Sequence, residues 1–278
     1  VYPNAGNLGG GGFMVARLSS GELVALDFRE MAPGAAHRDM YVDADGTART
    51  DKSQDGHLSG GVPGSVAGLF AAHKYAKLPF EQLIRPAIEL AEKGFTISDR
   101  EAASLNALQD DLRKLNTIMP VFVKDKWKTG DTLVQTDLAN TLKRIQQKGA
   151  AGFYEGETAR LIVEEMKRGG GIISYEDLKN FTAKFRAPHI FNYKGYKIAG
   201  MPMPSSGGLL VNQMMKMIEN KNIGAMGFQS VQAVQLMTEA ERRAFADRAE
   251  YMGDADFYKV PVAMLCNDAY LQERMKSY

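Results

Sequence analysis

The chain has 278 residues, 45% of them apolar and 24% charged, with a formal net charge of +1. That length can bury a large core as one big domain or two small ones. The near-neutral charge removes any bulk electrostatic argument for nucleic acid or an anionic membrane as partner. No apolar run approaches the roughly 18 residues of a membrane-spanning helix, and no secretory leader is visible. The single cysteine, Cys266, excludes an internal disulfide.

The chain opens on Val1 in strand-like sequence, which reads as a chain cut or processed upstream. "GFMVARL" and "ELVALDF" predict two strands around a turn at Ser19–Gly21. Residues 34–63 are loop-rich. "SVAGLFAAHKYAK" predicts a helix, and "PFEQLIRPAIELAEKG" a second one that starts near Pro79 and stops at Gly94. Pro86 lies inside that pattern and predicts a break or kink. "SDREAASLNALQDDLRKL" predicts one helix, opened by a capping box of Ser98 and Glu101. Residues 116–134 look irregular and hold the sole tryptophan, Trp127.

"TDLANTLKRIQQKG" and "GETARLIVEEMKRGGG" predict amphipathic helices stopped by glycine. "SYEDLKNF" predicts a short capped helix, and "FNYKGYKIAGMPM" a strand pair turning near Lys194–Gly195. Further helices are expected in "GGLLVNQMMKMIEN", from about Ser230 to Met252, and from Val262 to the end, where Cys266 reads as a small buried hydrophobe. Strands, then many helices, then a strand pair and more helices do not alternate as βαβ. The order predicts an α+β fold and argues against a doubly wound dinucleotide fold.

Candidate chemistry is sparse. The four histidines (His37, His57, His73, His189) are scattered, and no His/Cys cluster has metal-ligand spacing, so no metal site is expected. "GGGG" at Gly9–Gly12 precedes a strand, whereas a nucleotide fingerprint follows one and opens a helix. These glycines read as a tight strand entry or as room for a substrate. Arg29 follows the second strand, with Asp27 on the same face and Glu30 just beyond. It reads either as half of a structural Asp–Arg pair or as a carboxylate-binding arginine, whose planar guanidinium offers two parallel donors. Ser205 and Ser206 in "MPMPSSGG" read as a cap or turn. A serine nucleophile would need a nearby histidine, and no G-x-S-x-G elbow is present. In "SVQAVQLMTEAERRAFADRAEYMGD", Val234, Met237, Ala244, Phe245 and Met252 form a stripe, with Glu241 and Arg248 inside it. This predicts a buried structural network of those two charges.

Together, "GNLGGGGFM", "DFREMAP", "GVPGSVAGL", "GDTLVQTDLANTL", "MPMPSSGG" and "AFADRAEYMGD" resemble the large subunit of the γ-glutamyltranspeptidase family, in the family's order and over nearly the whole chain. The resemblance implies part of an N-terminal nucleophile hydrolase αββα sandwich, with residues 1–278 as one helix-rich domain incomplete at both ends. It implies a precursor that cuts itself, and a nucleophilic threonine at the start of a small subunit, with no catalytic residue on this chain and no cofactor. The substrates would be glutathione or other γ-glutamyl compounds, with water, an amino acid or a peptide as acceptor. Arg29, in "DFRE", would grip the α-carboxylate of the γ-glutamyl group. The family's habit implies a periplasmic or secreted protein. Poly-γ-glutamate depolymerases and cephalosporin acylases share the pattern, and a non-catalytic scaffold is the alternative of another class.

Overall fold

The computed structural model describes residues 6–278. In chain order the elements are β1 (Phe13–Arg17), β2 (Leu23–Asp27), α1 (Thr50–Gln54), α2 (Ser65–His73), α3 (Phe80–Lys93), β3 (Phe95–Thr96), α4 (Asp99–Ala107), α5 (Gln109–Leu115), β4 (Thr132–Leu133), α6 (Thr136–Lys148), α7 (Ala151–Tyr154), α8 (Gly156–Gly169) and α9 (Tyr175–Asn180). There follow β5 (Lys184–Arg186), β6 (His189–Tyr193), β7 (Tyr196–Gly200), α10 (Gly207–Ile218), α11 (Val231–Tyr251), α12 (Val262–Leu265) and α13 (Asp268–Arg274). The chain is therefore α+β, rich in helix and with small sheets. Two compact units form, one of residues 6–12 with Phe28–Ala183, the other of Phe13–Asp27 with Lys184–Tyr278.

The first unit centres on Val62, Val66, Ile145, Phe153, Ala159, Val163, Leu178 and Phe181, which draw α2 and α6 to α9 together. Tyr154 is the polar member of this core. Its hydroxyl donates to the Pro63 carbonyl at 2.9 Å and accepts from the Ala67 N–H at 3.2 Å. Burial pushes this phenol up to about 12. Ile88 and Ala91 of α3 pack against Ala139 and Leu142 of α6. Contrary to the expected break, α3 runs unbroken through Pro86. One missing N–H is tolerated because the amphipathic face on both sides of it is held by packing.

The predicted helix over 98–115 is two helices, parted at Leu108. Its Ser98–Glu101 capping box forms as expected, and Ser174 with Asp177 makes a second one at α9. The irregular stretch around Trp127 is ordered by a small core of Ile97, Ala102, Leu105, Trp127 and Leu133. The indole donates to the Phe122 carbonyl at 2.8 Å, and Asn106 brackets the Trp127 backbone from both sides.

In the second unit β2 lies between β1 and β5, all antiparallel. That central place explains why Val24, Ala25, Leu26 and Asp27 are all buried instead of alternating. The β6–β7 hairpin turns through Lys194 (φ 46°) and Gly195 (φ 84°), the left-handed pair that suits a two-residue hairpin. Met217, Leu236, Ala240, Leu271 and Met275 join α10, α11 and α13. The last predicted helix is interrupted at Cys266 and Asn267, where the Asn267 side chain caps α13.

The stripe read for α11 is offset. Its buried residues are Ala233, Leu236, Ala240, Arg243, Ala244 and Asp247, while Glu241 and Arg248 are exposed. Val234, Met237 and Phe245 are also exposed, at 45%, 51% and 46%. Alanines form the inward face because they allow close helix approach, and the charges drawn inside are Arg243 and Asp247. Arg248 does tie α11 to a neighbour, donating from Nε to the Ser206 hydroxyl at 3.0 Å.

Candidate functional site

Arg29 is displayed at the surface of the first unit, on a backbone fixed from several sides. Gly12 and Phe28 exchange both backbone hydrogen bonds, at 3.0 and 3.2 Å. Met31 and Val62 do the same at 2.8 and 3.2 Å. The Gly10 carbonyl accepts from the N–H groups of Gly64 and Ser65, which links the glycine run to the start of α2.

Main chain lies directly on main chain here. A Cβ at Gly11 would fall 2.5 Å from the Phe28 oxygen and 2.8 Å from the Glu30 nitrogen. A Cβ at Gly64 would overlap the Phe28 oxygen and lie 2.5 Å from Phe181 Cζ. The Phe28 ring fills the space that side chains at Gly12 and Gly68 would need. Within "GGGG", Gly11 admits the backbone of residues 28–30 and Gly12 the Phe28 ring, whereas Gly9 meets nothing within 4 Å. The Gly34 N–H, a few residues on, donates to Asp177 Oδ1 at 2.7 Å, so the segment is anchored at its far end as well. Glu30 is exposed beside Arg29. The chemistry on offer is a permanently charged fork of donors on a rigid base, suited to a carboxylate.

At the end of β2, Asp27 pairs with Arg186, an arginine the sequence does not single out. Arg186 Nε lies 2.8 Å from Asp27 Oδ2, and its other nitrogens grip Asp256 at 2.8 and 2.9 Å. Arg186, with Lys184, holds the Asp256 carboxyl far below its usual range.

Ser206 stands at the N-cap of α10, but its side chain caps no amide and instead accepts from Arg248. Ser205 closes a turn, donating its N–H to the Pro202 carbonyl at 3.1 Å. The turn reading of "PSSGG" holds; the side-chain cap does not form, and the Ser206 hydroxyl accepts from Arg248 instead.

Two polar clusters escape sequence reading, because their members lie far apart along the chain. In the first unit His57 Nε2 meets Glu165 at 2.8 Å, and the same carboxylate accepts from Thr117 and Arg168. Burial would raise Glu165, but these bonds overcome it and hold the carboxyl at about 2. In the second unit His189, Asn212 and Cys266 converge. Among the described residues, no group of three or more His, Cys, Asp or Glu side chains is placed to hold a metal. Also among these, no helix is long and apolar enough to cross a membrane.

The fold is that of the N-terminal nucleophile hydrolases. The Gamma-glutamyltranspeptidase family profile matches residues 1–277, and the chain belongs to that family. Among its relatives, the glutathione hydrolase proenzyme of Escherichia coli K12 is 44% identical over 281 residues, covering 97% of this chain and 47% of that protein. The acylase ACY 1 proenzyme of Pseudomonas sp. V22 is 36% identical, covering 95% of this chain and 49% of that one. The crystal structure of Helicobacter pylori γ-glutamyltranspeptidase superposes with a TM-score of 0.95 at 45% identity, covering 99% of this chain and 80% of that one. The chain spans about half the length of the curated relatives it matches.

Proposed function

We propose that this chain is the large-subunit part of a γ-glutamyl transferase/hydrolase that cleaves glutathione and other γ-glutamyl amides. The single observation that carries the assignment of a site is Arg29, exposed on a backbone packed against Gly11 and Gly64 and hydrogen-bonded on both sides. In this reading its guanidinium takes the α-carboxylate of the γ-glutamyl group in two parallel hydrogen bonds. The γ-carbonyl is thereby presented to a threonine at the start of a small subunit cut from the same precursor. The threonine hydroxyl attacks, its own α-amino group takes the proton, and the amine leaves. Water, an amino acid or a peptide then accepts the γ-glutamyl group. Family membership and the proenzyme names of the relatives support this course. A periplasmic or secreted setting belongs to the same proposal. The acylase relative favours a second reading, in which the same scaffold holds a different acyl group.

The test is kinetic, on the mature two-chain enzyme with Arg29→Ala and Arg29→Lys. Hydrogen bonds to a charged group contribute about 1.5–3 kcal/mol each, so Arg29→Ala should raise the donor KM by at least about 10- to 150-fold, the effect of losing one of the two. Arg29→Lys should recover only part of this, because it keeps the charge and loses the fork. An unchanged donor KM in both variants would sink the assignment of Arg29. Turnover of acyl amides that lack an α-carboxylate, equal in wild type and Arg29→Ala, would favour the acylase reading.

A further inference from the structure

The first unit holds a clasp that the proposed reaction leaves unexplained. His57 opens a single turn of 3-10 helix, His57–Ser59, and its side chain is 13% exposed. Its Nε2 lies 2.8 Å from Glu165 Oε1 on α8. The Glu165 carboxyl is held at about 2 and is therefore ionised at neutral pH. A carboxylate only accepts, so Nε2 carries the proton and donates it. Thr117 donates to the same oxygen and Arg168 to the other, which fixes the carboxylate from three sides. The imidazole rests where only glycine admits it. A Cβ at Gly169 would overlap the ring, and one at Gly171 would lie 2.8 Å from the His57 carbonyl oxygen. The glycine run Gly169–Gly171, legible in the sequence as a helix stop, is thus also the seat of His57.

A short stretch of backbone joins this clasp to the ground beside Arg29. A Cβ at Gly61 would lie 2.9 Å from Glu30 Cβ and 3.4 Å from the Met31 oxygen. Val62 then exchanges both backbone hydrogen bonds with Met31, and Gly64 lies against the Phe28 carbonyl. Val62 is anchored in the core and Gly64 at the start of α2. Residues 57–61 are only half-buried and lack such an anchor. The Tyr41 hydroxyl donates to the Leu58 carbonyl at 3.1 Å, but Tyr41 belongs to the same loop-rich stretch. The tie to a long helix is the one His57 makes with α8. We propose that His57 is a positioning residue for Arg29: seated on Gly169 and bonded to Glu165, it holds residues 57–61 against Glu30 and Met31 and so sets where the guanidinium stands. The inference rests on the reading of Arg29 as the group that binds the donor carboxylate. His57 acts through the backbone of residues 60–62 and takes no part in the chemistry. Small misplacements of a binding group, made far from the reacting atoms, are enough to weaken its grip.

The test compares mature two-chain enzymes carrying His57→Ala, His57→Gln or Gly169→Ala, each alone and combined with Arg29→Ala. Gly169→Ala unseats the ring without changing any residue of 28–31 or 57–64. His57→Ala and Gly169→Ala should each raise the donor KM about three- to tenfold, with kcat within about twofold of wild type. His57→Gln, whose amide can still donate to Glu165, should recover most of the loss. In the Arg29→Ala background the same changes should leave KM where Arg29→Ala alone puts it, because no guanidinium remains to be placed. Amide hydrogen exchange, read by mass spectrometry on the peptide that holds Met31, should quicken in His57→Ala and Gly169→Ala, since the Met31 N–H donates to Val62. Melting curves check that each variant is folded, and Gly169→Ala carries the test if His57→Ala is not. A wild-type donor KM in the folded variants, or a rise of equal size with and without Arg29, overturns the proposal while the role of Arg29 stands. An unchanged donor KM in Arg29→Ala itself removes that role, and this proposal with it.

Discussion

Residues 28–31 and the inward face of α11 are held by opposite means. Around Phe28 the backbone of residues 28–30 lies against Gly11 and Gly64, and Gly12 and Phe28 exchange both backbone hydrogen bonds. On α11 charged side chains do the fixing. Arg243 is 4% exposed and donates to the Arg274 carbonyl at 2.6 Å, the Glu239 carbonyl at 3.0 Å and the Ser277 hydroxyl at 2.9 Å. Asp247 accepts from Gln213, Tyr270 and Arg274 at 2.9, 2.9 and 3.0 Å. Charges used in this way are consumed by the fold. Residues 28–31 are fixed by their backbone, and the exposed Arg29 stands on that segment.

If that contrast is right, removing a consumed charge should be the most damaging change. Asp247→Ala leaves Arg274, Tyr270 and Gln213 facing an empty place and should cost about 3–5 kcal/mol. Glu241→Ala, on the same helix but exposed, should stay within about 0.5 kcal/mol. Denaturation midpoints of the two variants decide the matter. Similar losses would mean that the buried face of α11 is not the one described.

Next in size is the backbone packing itself. Gly64→Ala should cost about 3 kcal/mol, the upper part of the range for overpacking, because the added carbon meets a carbonyl oxygen and not the end of a flexible side chain. Gly224→Ala, which meets nothing within 4 Å, is the control and should change stability by no more than about 0.5 kcal/mol. A mild Gly64→Ala whose donor KM also matches wild type would show that residues 28–30 can move without consequence. The rigid display of Arg29 would then fail as an explanation.

The same contrast marks what could be read from sequence. Close backbone approach leaves a trace, since only glycine permits it, and "GGGG" before the strand with "GVPG" before α2 outlines the ground under Arg29. Capping boxes and the Lys194–Gly195 turn are local and equally visible. The face of α11 is not, because the large apolar residues that dominate a periodicity count are exposed while alanines make the contact. The break expected at Pro86 fails for a related reason: a local rule yields to packing along the whole of α3. Partners of isolated charges are invisible for want of spacing, as with Asp27 and Arg186, 159 residues apart.

The His57–Glu165 cluster tests the consumed-charge side of the contrast at its weakest, since Glu165 keeps 29% of its side chain exposed. Its carboxyl, ordinarily near 4.5, is held at about 2 by Thr117, His57 and Arg168 against the opposing effect of burial. A folded-state value below the unfolded one means that the unfolded chain binds the proton first. The stabilisation is therefore full above about pH 4.5 and drains away as pH falls towards 2. Solvent screening of so exposed a group limits it to about 1 kcal/mol. Glu165→Gln should accordingly melt a few degrees below wild type at pH 7, and the two melting curves should draw together as pH is lowered from 4.5 to 3. A gap that stayed constant over that range would mean that Glu165 matters through its shape and hydrogen bonds alone, with its charge contributing nothing.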